Sequence, residues 1–482
     1  MNHAEQICRK PTLVSLFVLS MMLLSTARVW SQTDNQTANP PAQPVPAMVG
    51  LDRSATPADI TNDAFPDDRM RIPPPVSGQA FPAMPSSEEH FNYLRYGLSF
   101  TSAYTDNALG PLLGHPVSEV SYSVAPLVAL DDSTSRAHLL LTYAPGFTFY
   151  QRTSELNQAD QNAAITLQYR LSPHVTVDAR DTFQKSSNVF NQPDLASAGT
   201  VSGGTEGPNG SVIAPIADRL GNAGNADITY QFGRNSMIGA GATFFNLHYP
   251  NPSQVPGLYD TESQAGSAFY AFRIGHSYLG ATYQYQRLVS YPTASVGETQ
   301  THAGLLFYSF YPTSRLSVSF FGGPQYARTV QPPLPPSQVP LPVLRQWMPT
   351  GGASVNWQGR FSSFAVAYSH LVTGGGGLTQ AVRMDSATAM ARQQMTRTLS
   401  AWLTGGYVQN DVLDTLVQEG YGGHSIFGTA SLQQQLGEHL NLQVGYTRLR
   451  QDYSNVAVLS STPNTNREFV SVSYQFSRPL GR

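Results

Sequence analysis

The sequence predicts an all-β fold, a transmembrane antiparallel up-and-down β-barrel of about 18 strands, with 16 as the other count its pattern allows. Three observations predict it: a composition poor in charge yet not hydrophobic, strands that alternate apolar and polar residues, and connections that alternate short and long. Charged residues make up only 12% of the 482, and hydrophobic residues only 41%, against roughly 25% charge in ordinary globular chains. Mean hydropathy is -0.23. The missing charge is replaced by 40 Gly, 24 Tyr and 23 Phe, together with abundant hydroxyl and amide side chains. Such a mixture suits strands with lipid on one side and water on the other. It excludes a helical membrane protein, because the one apolar run near spanning length lies at the extreme N-terminus. A nucleic-acid partner is excluded as well, since the net charge is -3 and no Lys/Arg cluster occurs.

The first 31 residues read as an export signal. Arg9 and Lys10 precede the apolar stretch Leu13 to Leu24, and small residues around Ser25–Ala27 or at Ser31 follow. Cys8 is the only cysteine and falls within this segment, so the exported chain has no disulfide and no thiolate metal site. Residues 32–90 form a second zone. Between Thr33 and His90, 11 of 58 positions are Pro and no hydrophobic period survives. A disordered periplasmic segment is expected, because such a composition buries too little apolar surface to offset ordering entropy. The barrel is assigned to residues 91–482.

From Tyr93 onward the chain reads as strands. Ile165, Leu167, Tyr169 and Leu171 point one way, while Thr166, Gln168 and Arg170 point the other. Leu440, Leu442, Val444 and Tyr446 likewise oppose Asn441, Gln443 and Gly445. Short links are expected at Asp131–Thr134, Ser172–Pro173, Gly233–Asn235, Gly275–His276, Pro312–Ser314, Gln358–Gly359, Gln394–Arg397 and Gly437–Glu438. Long ones are expected at 105–117, 151–160, 185–222, 248–260, 288–298, 329–344, 372–380, 409–421 and 451–466. Eight short and nine long connections give 18 strands with both ends on the short-turn side. A count of 16 would follow if the weakly alternating segment Met384–Gln393 failed to pair. A sandwich, β-helix or propeller does not require alternating connection length, and no fixed-length repeat is present.

The opening strand with Tyr104-Thr105-Asp106-Asn107, and the closing run Val470-Ser471-Val472-Ser473-Tyr474-Gln475-Phe476, resemble the large outer-membrane β-barrels of Gram-negative bacteria. They are closest to porin-like barrels, some of which accompany polysaccharide export. The resemblance implies location in the outer membrane, contact with its lipid, and insertion by the barrel-assembly machinery through the last strand.

No enzyme motif is present: there is no Gly-x-Ser-x-Gly elbow, no His-Glu-x-x-His pair and no phosphate-binding Gly-Lys-Ser/Thr loop. No enzyme activity, cofactor or metal is expected. His370 with Ser386, as a lipase-like pair, and Asp411, Asp414, Glu419 and His424, as an acidic loop site, are the two constellations that chemistry would require. Gly374 to Gly377 read as a flexible loop. The inward phases offer a water-filled wall: Gln168, Arg170, Asp178, Arg180, Gln284, Gln286, Asn356 and Gln443 are the expected pore-lining residues. By analogy with general porins, the long third outer loop is expected to fold inward, with Asp194, Glu206 and Asp218 forming an acidic constriction. The function expected is passive diffusion of small polar solutes. The alternative is a structural or export-associated barrel of an envelope polysaccharide system.

Overall fold

The computed structural model describes residues 92–108, 116–188, 216–254, 257–292, 296–313, 315–330, 342–413, 422–453 and 464–480. Residues 1–91, where an export signal and a proline-rich segment are expected, lie outside the described residues, as do Asp194 and Glu206.

The chain forms one closed antiparallel sheet. In order its strands are β1 (Tyr93–Thr105), β2 (Glu119–Ser133), β3 (Ala137–Tyr143), β4 (Gly146–Tyr150), β5 (Gln158–Arg170), β6 (Val175–Asn188), β7 (Ile216–Gln231), β8 (Ser236–His248), β9 (Asp260–Ile274) and β10 (Ser277–Tyr291). They continue with β11 (Gly297–Thr313), β12 (Leu316–Val330), β13 (Leu344–Gln358), β14 (Ser362–Gly375), β15 (Thr379–Gln394), β16 (Leu399–Val412), β17 (Gly422–Gln435), β18 (Leu440–Tyr453) and β19 (Asn464–Pro479). Apart from β3 and β4, which share one place in the ring, each pairs with its neighbour in sequence, and β1 pairs with β19 from Tyr93↔Pro479 to Thr105↔Arg467. The ring therefore has no free edge, which is what a strand surrounded by hydrocarbon requires.

Segments β3 and β4 are two halves of one stave. Both pair with β2 in one continuous register, Val128↔Tyr143 and Val124↔Phe147, which sets Pro126 against Pro145. Neither proline has an N–H, so the ladder is interrupted there without a change of course. The barrel accordingly has 18 staves. The count of 16 does not arise, because β15 pairs along its length with both β14 and β16. Its alternation is weak because its outward residues Ala387, Ala389 and Ala391 are small.

Alternation across the wall is steep. Leu305 is 3% exposed, Leu306 68% and Phe307 1%. The exposed phase forms an outward belt that includes Leu98, Phe100, Leu141, Ile165, Leu167, Phe320, Val366 and Leu403. Tyrosine, phenylalanine and tryptophan are frequent toward the two rims of this belt, as in Tyr230, Phe232 and Phe272 near the short turns and Tyr104, Phe149 and Trp347 near the long connections. Asp181 departs from the apolar character of the belt. It stands on the exposed phase of β6, paired with Ile165 on one side and Gly224 on the other, and accepts a hydrogen bond from Asn222 Nδ2 at 2.9 Å.

Candidate functional site

The inner wall is built by the other phase of every stave. Hydroxyls dominate it and bond to one another across strands: Thr101 to Ser471 (2.8 Å), Ser123 to Thr148 (2.9 Å), Ser319 to Ser309 (3.0 Å), Thr299 to Thr329 (3.1 Å) and Thr429 to Thr447 (3.1 Å). Amides join them. Gln443 Nε2 donates to Ser431 Oγ at 3.2 Å, and Gln286 Nε2 to Ser263 Oγ at 3.4 Å. Among the sequence-predicted lining residues, Gln168, Arg170, Asp178, Arg180, Gln284, Gln286, Asn356 and Gln443 all fall on the inward phase of their strands. The structure does not gather them into one belt. Arg170 ends β5 at the short-turn rim, Asp178 and Arg180 lie farther up β6, and Gln286 lies in the upper half of β10. Near the short-turn rim Asp131 is met by His138 Nε2 at 3.0 Å and Arg95 at 3.9 Å. His138 in turn stands opposite Gln168.

The wall is not uniformly polar. On the short-turn half of β8–β12, Met237, Phe269, Ala271, Tyr278, Leu305, Phe307 and Phe321 form a buried apolar cluster on the inner face. Its rings lie flat over glycines of the neighbouring strand. Phe269 stands directly opposite Gly239 and Phe307 opposite Gly280. A Cβ built at either glycine would fall within 2.4 Å of the ring, so only glycine permits this packing. Sequence reasoning missed the cluster because segments such as Gly304-Leu305-Leu306-Phe307-Tyr308 are apolar on both phases and leave no contrast to read.

The mouth at the long-connection end holds a second feature that sequence reasoning missed. Pairing between β13 and β14 begins only at Gly351↔His370, while β14 and β15 continue together to Gly375↔Thr379. Above that level β14 has parted from β13, while β15 stays paired with β16 up to Val382↔Val412. Pro349 on β13, opposite Pro324, offers no N–H to hold β14 there. The hairpin tip reaches the β8–β9 connection, although β10 to β13 lie between them in the ring. Tyr249 Oη donates to the Gly376 carbonyl at 2.6 Å, and Tyr259 N–H donates to the Gly377 carbonyl at 3.0 Å. Leu378 packs with Ala217, Leu247, Tyr249 and Leu258. At the root of the hairpin, Val372, Ala381 and Leu413 pack with Leu288 and Met348. The hairpin is a chord across the mouth. Gly376 and Gly377 have φ of 64° and 82°, which L side chains rarely adopt. The tetraglycine is therefore a docked turn rather than a loose loop.

This corrects the assignment of Asp218 to an inward-folded third loop. Strand β7 already begins at Ile216, so Asp218 belongs to the wall. It shares the outward phase with Leu220 and Asn222 and accepts from Asn251 Nδ2 at 3.0 Å. The connection itself, 189–215, lies outside the described residues. Arg170 ends β5 at the opposite, short-turn rim.

The other two constellations also separate. His370 faces outward and bonds Asp385 Oδ1 at 2.8 Å, which also accepts from Tyr368 Oη at 2.6 Å. Ser386, adjacent to Asp385 in the same strand, projects to the opposite face, so no His–Ser pair forms. Asp411 pairs with Arg383 at 2.8 Å, and His424 stacks on Tyr407 with ring centroids 6.0 Å apart; Asp414 and Glu419 lie outside the described residues. Among the described residues no group of three or more His, Cys, Asp or Glu is placed to hold a metal ion.

No protein-family model matches the chain, and no curated protein matches it. Among solved structures it is similar to the FrpB iron transporter from Neisseria meningitidis (F5-1 variant), with a TM-score of 0.38 and 9% identity, over 74% of this chain and 63% of that one. It is also similar to OccK2 (OpdF) from Pseudomonas aeruginosa, with a TM-score of 0.40 and 11% identity over 80% and 98% of the two chains. A third is OccAB4 from Acinetobacter baumannii, at 0.38 and 9% over 81% and 100%. The chain spans less than two thirds of the length of FrpB.

Proposed function

We propose that this chain is an outer-membrane channel of a Gram-negative bacterium that passes small polar solutes by diffusion and has no enzymatic activity. One observation carries the reading: a ring of 18 staves that is apolar outside and lined within by hydroxyl and amide side chains. A barrel of 16 to 18 strands is too wide for its own side chains to fill and leaves an aqueous passage. Neutral amides and hydroxyls hydrate such a passage without holding an ion tightly. Gln168, Arg170, Asp178, Arg180, Gln284, Gln286, Asn356 and Gln443 line it. The apolar cluster on β8–β12 leaves the hydrated route to the remaining staves, and the β14–β15 hairpin narrows its outer opening. Outer-membrane lipid surrounds the belt, and the barrel-assembly machinery inserts it.

The test is a swelling assay with the full chain reconstituted into liposomes and sugars of increasing size. The reading predicts swelling that slows as the sugar grows. Failure of every sugar to enter, from correctly folded protein, would favour a structural or export-associated barrel.

A further inference from the structure

Two cross-strand rows lie one above the other on the outward face of β10–β13. In the lower row Tyr285, His302, Tyr326 and Trp347 stand in direct register. Their rings are in contact, with centroids 5.1, 6.5 and 5.2 Å apart, and Trp347 is 72% exposed. Aromatic rings in this position mark the boundary between acyl chains and headgroups. Two residues farther up each strand, about 6–7 Å along it, comes the row Arg287, Gln300, Arg328 and Arg345, again in direct register. Arg287 is engaged by Glu298 at 2.8 Å, and Gln300 Nε2 donates to the same carboxylate at 2.7 Å. Glu298 lies within electrostatic reach of Arg328 too. The other nearby acid, Glu262, accepts from Tyr291 Oη at 3.2 Å and from Gln264. Arg328 and Arg345 face each other directly, and among the described residues no ion pair engages either.

Like charges placed directly opposite in a ladder repel. Two guanidiniums side by side accommodate an anion with several oxygens far better than they accommodate each other, and their planar forks match phosphate. The apolar wall continues below the aromatic row with Leu306 and Phe320, both exposed. A ligand that satisfies both rows has a phosphate at its head and acyl chains beneath. We propose that Arg328 and Arg345, with Arg287 and Gln300 beside them and Trp347 below, bind the phosphate of an outer-leaflet lipid headgroup. The site depends on the membrane placement proposed above and not on conduction.

The test uses the full chain in neutral detergent micelles, titrated with bisphosphorylated lipid A, with the same lipid stripped of its phosphates, and with inorganic phosphate. The expected result is at least tenfold tighter binding of the phosphorylated lipid than of the stripped one. R328Q/R345Q loses that preference while its heat-modified gel mobility stays that of the wild type, and R328K/R345K recovers part of it. Millimolar inorganic phosphate does not displace the lipid. Equal binding of both lipids, a preference unchanged in R328Q/R345Q, or full displacement by inorganic phosphate would each overturn the site, the last by showing a free-anion site. Conductance of R328Q/R345Q, read in parallel, keeps the two proposals apart. A variant that conducts normally without lipid preference supports the site and leaves the channel intact, whereas a wild type that binds the lipid and conducts nothing counts against the channel alone.

Discussion

Adjacent residues of this wall live in opposite solvents. Leu167 faces outward beside Gln168, which faces the lumen. Leu167→Arg or Leu442→Arg should destabilise the barrel by about 2–4 kcal/mol at mid-membrane depth. Gln168→Arg should leave folding nearly intact and move ion preference toward anions, as read by urea unfolding in vesicles and by reversal potential. Equal loss of folding in both would contradict the assignment of faces. Asp181 poses the inverse case. Its carboxylate stands on the outward phase, supported by Asn222, where a charge is unfavourable but less so for an acid than for Arg. Asp181→Leu should therefore stabilise the barrel by about 1 kcal/mol, seen as a higher urea midpoint. A lower midpoint would show that the bond to Asn222 outweighs the desolvation of the acid. Strand phase alone placed Asp178 and Arg180 on the inner face of β6. The same phase puts Asp181 outside, yet an acid in a membrane strand reads as a lumen residue until the register is seen.

At the level of elements, what was legible and what was not divides by sequence distance. Short turns are signalled locally by residues such as Ser172-Pro173 and Gly275-His276, and they fall at the ends of strands as expected. The β14–β15 hairpin is different. Four glycines announce a turn, but its docking rests on Tyr249, 127 positions away from Gly376, and no periodicity reports a contact of that range. The expected loops at 288–298 and 372–380 shrink because strands β10, β11, β14 and β15 run on past the apolar belt, where outward residues turn polar and alternation fades. The hairpin makes a specific prediction. At Gly377 a Cβ would lie 2.4 Å from the Tyr249 ring and 2.6 Å from the Tyr259 carbonyl, at a φ of +82°. Gly377→Ala should undock the tip and raise single-channel conductance, with the folded band on a gel unchanged. Unchanged conductance would mean that the chord does not narrow the path.

For the whole molecule, alternating connection length made the stave count readable. Each short turn at one rim and each long connection at the other adds one strand, and antiparallel closure of β1 on β19 requires the resulting even number. The character of the interior was less readable. Polar inward phases announced themselves by contrast with apolar neighbours, whereas the cluster around Phe307 hides in a stretch that is apolar on both faces. The wall is therefore part wet and part dry, and conduction requires that the wet part run through. Single-channel recording in planar bilayers tests this most directly. Purified full-length protein should give discrete, steady, ohmic current steps, larger in Gly377→Ala than in the wild type. Protein that inserts as a folded barrel and yields no steps would contradict an open aqueous passage.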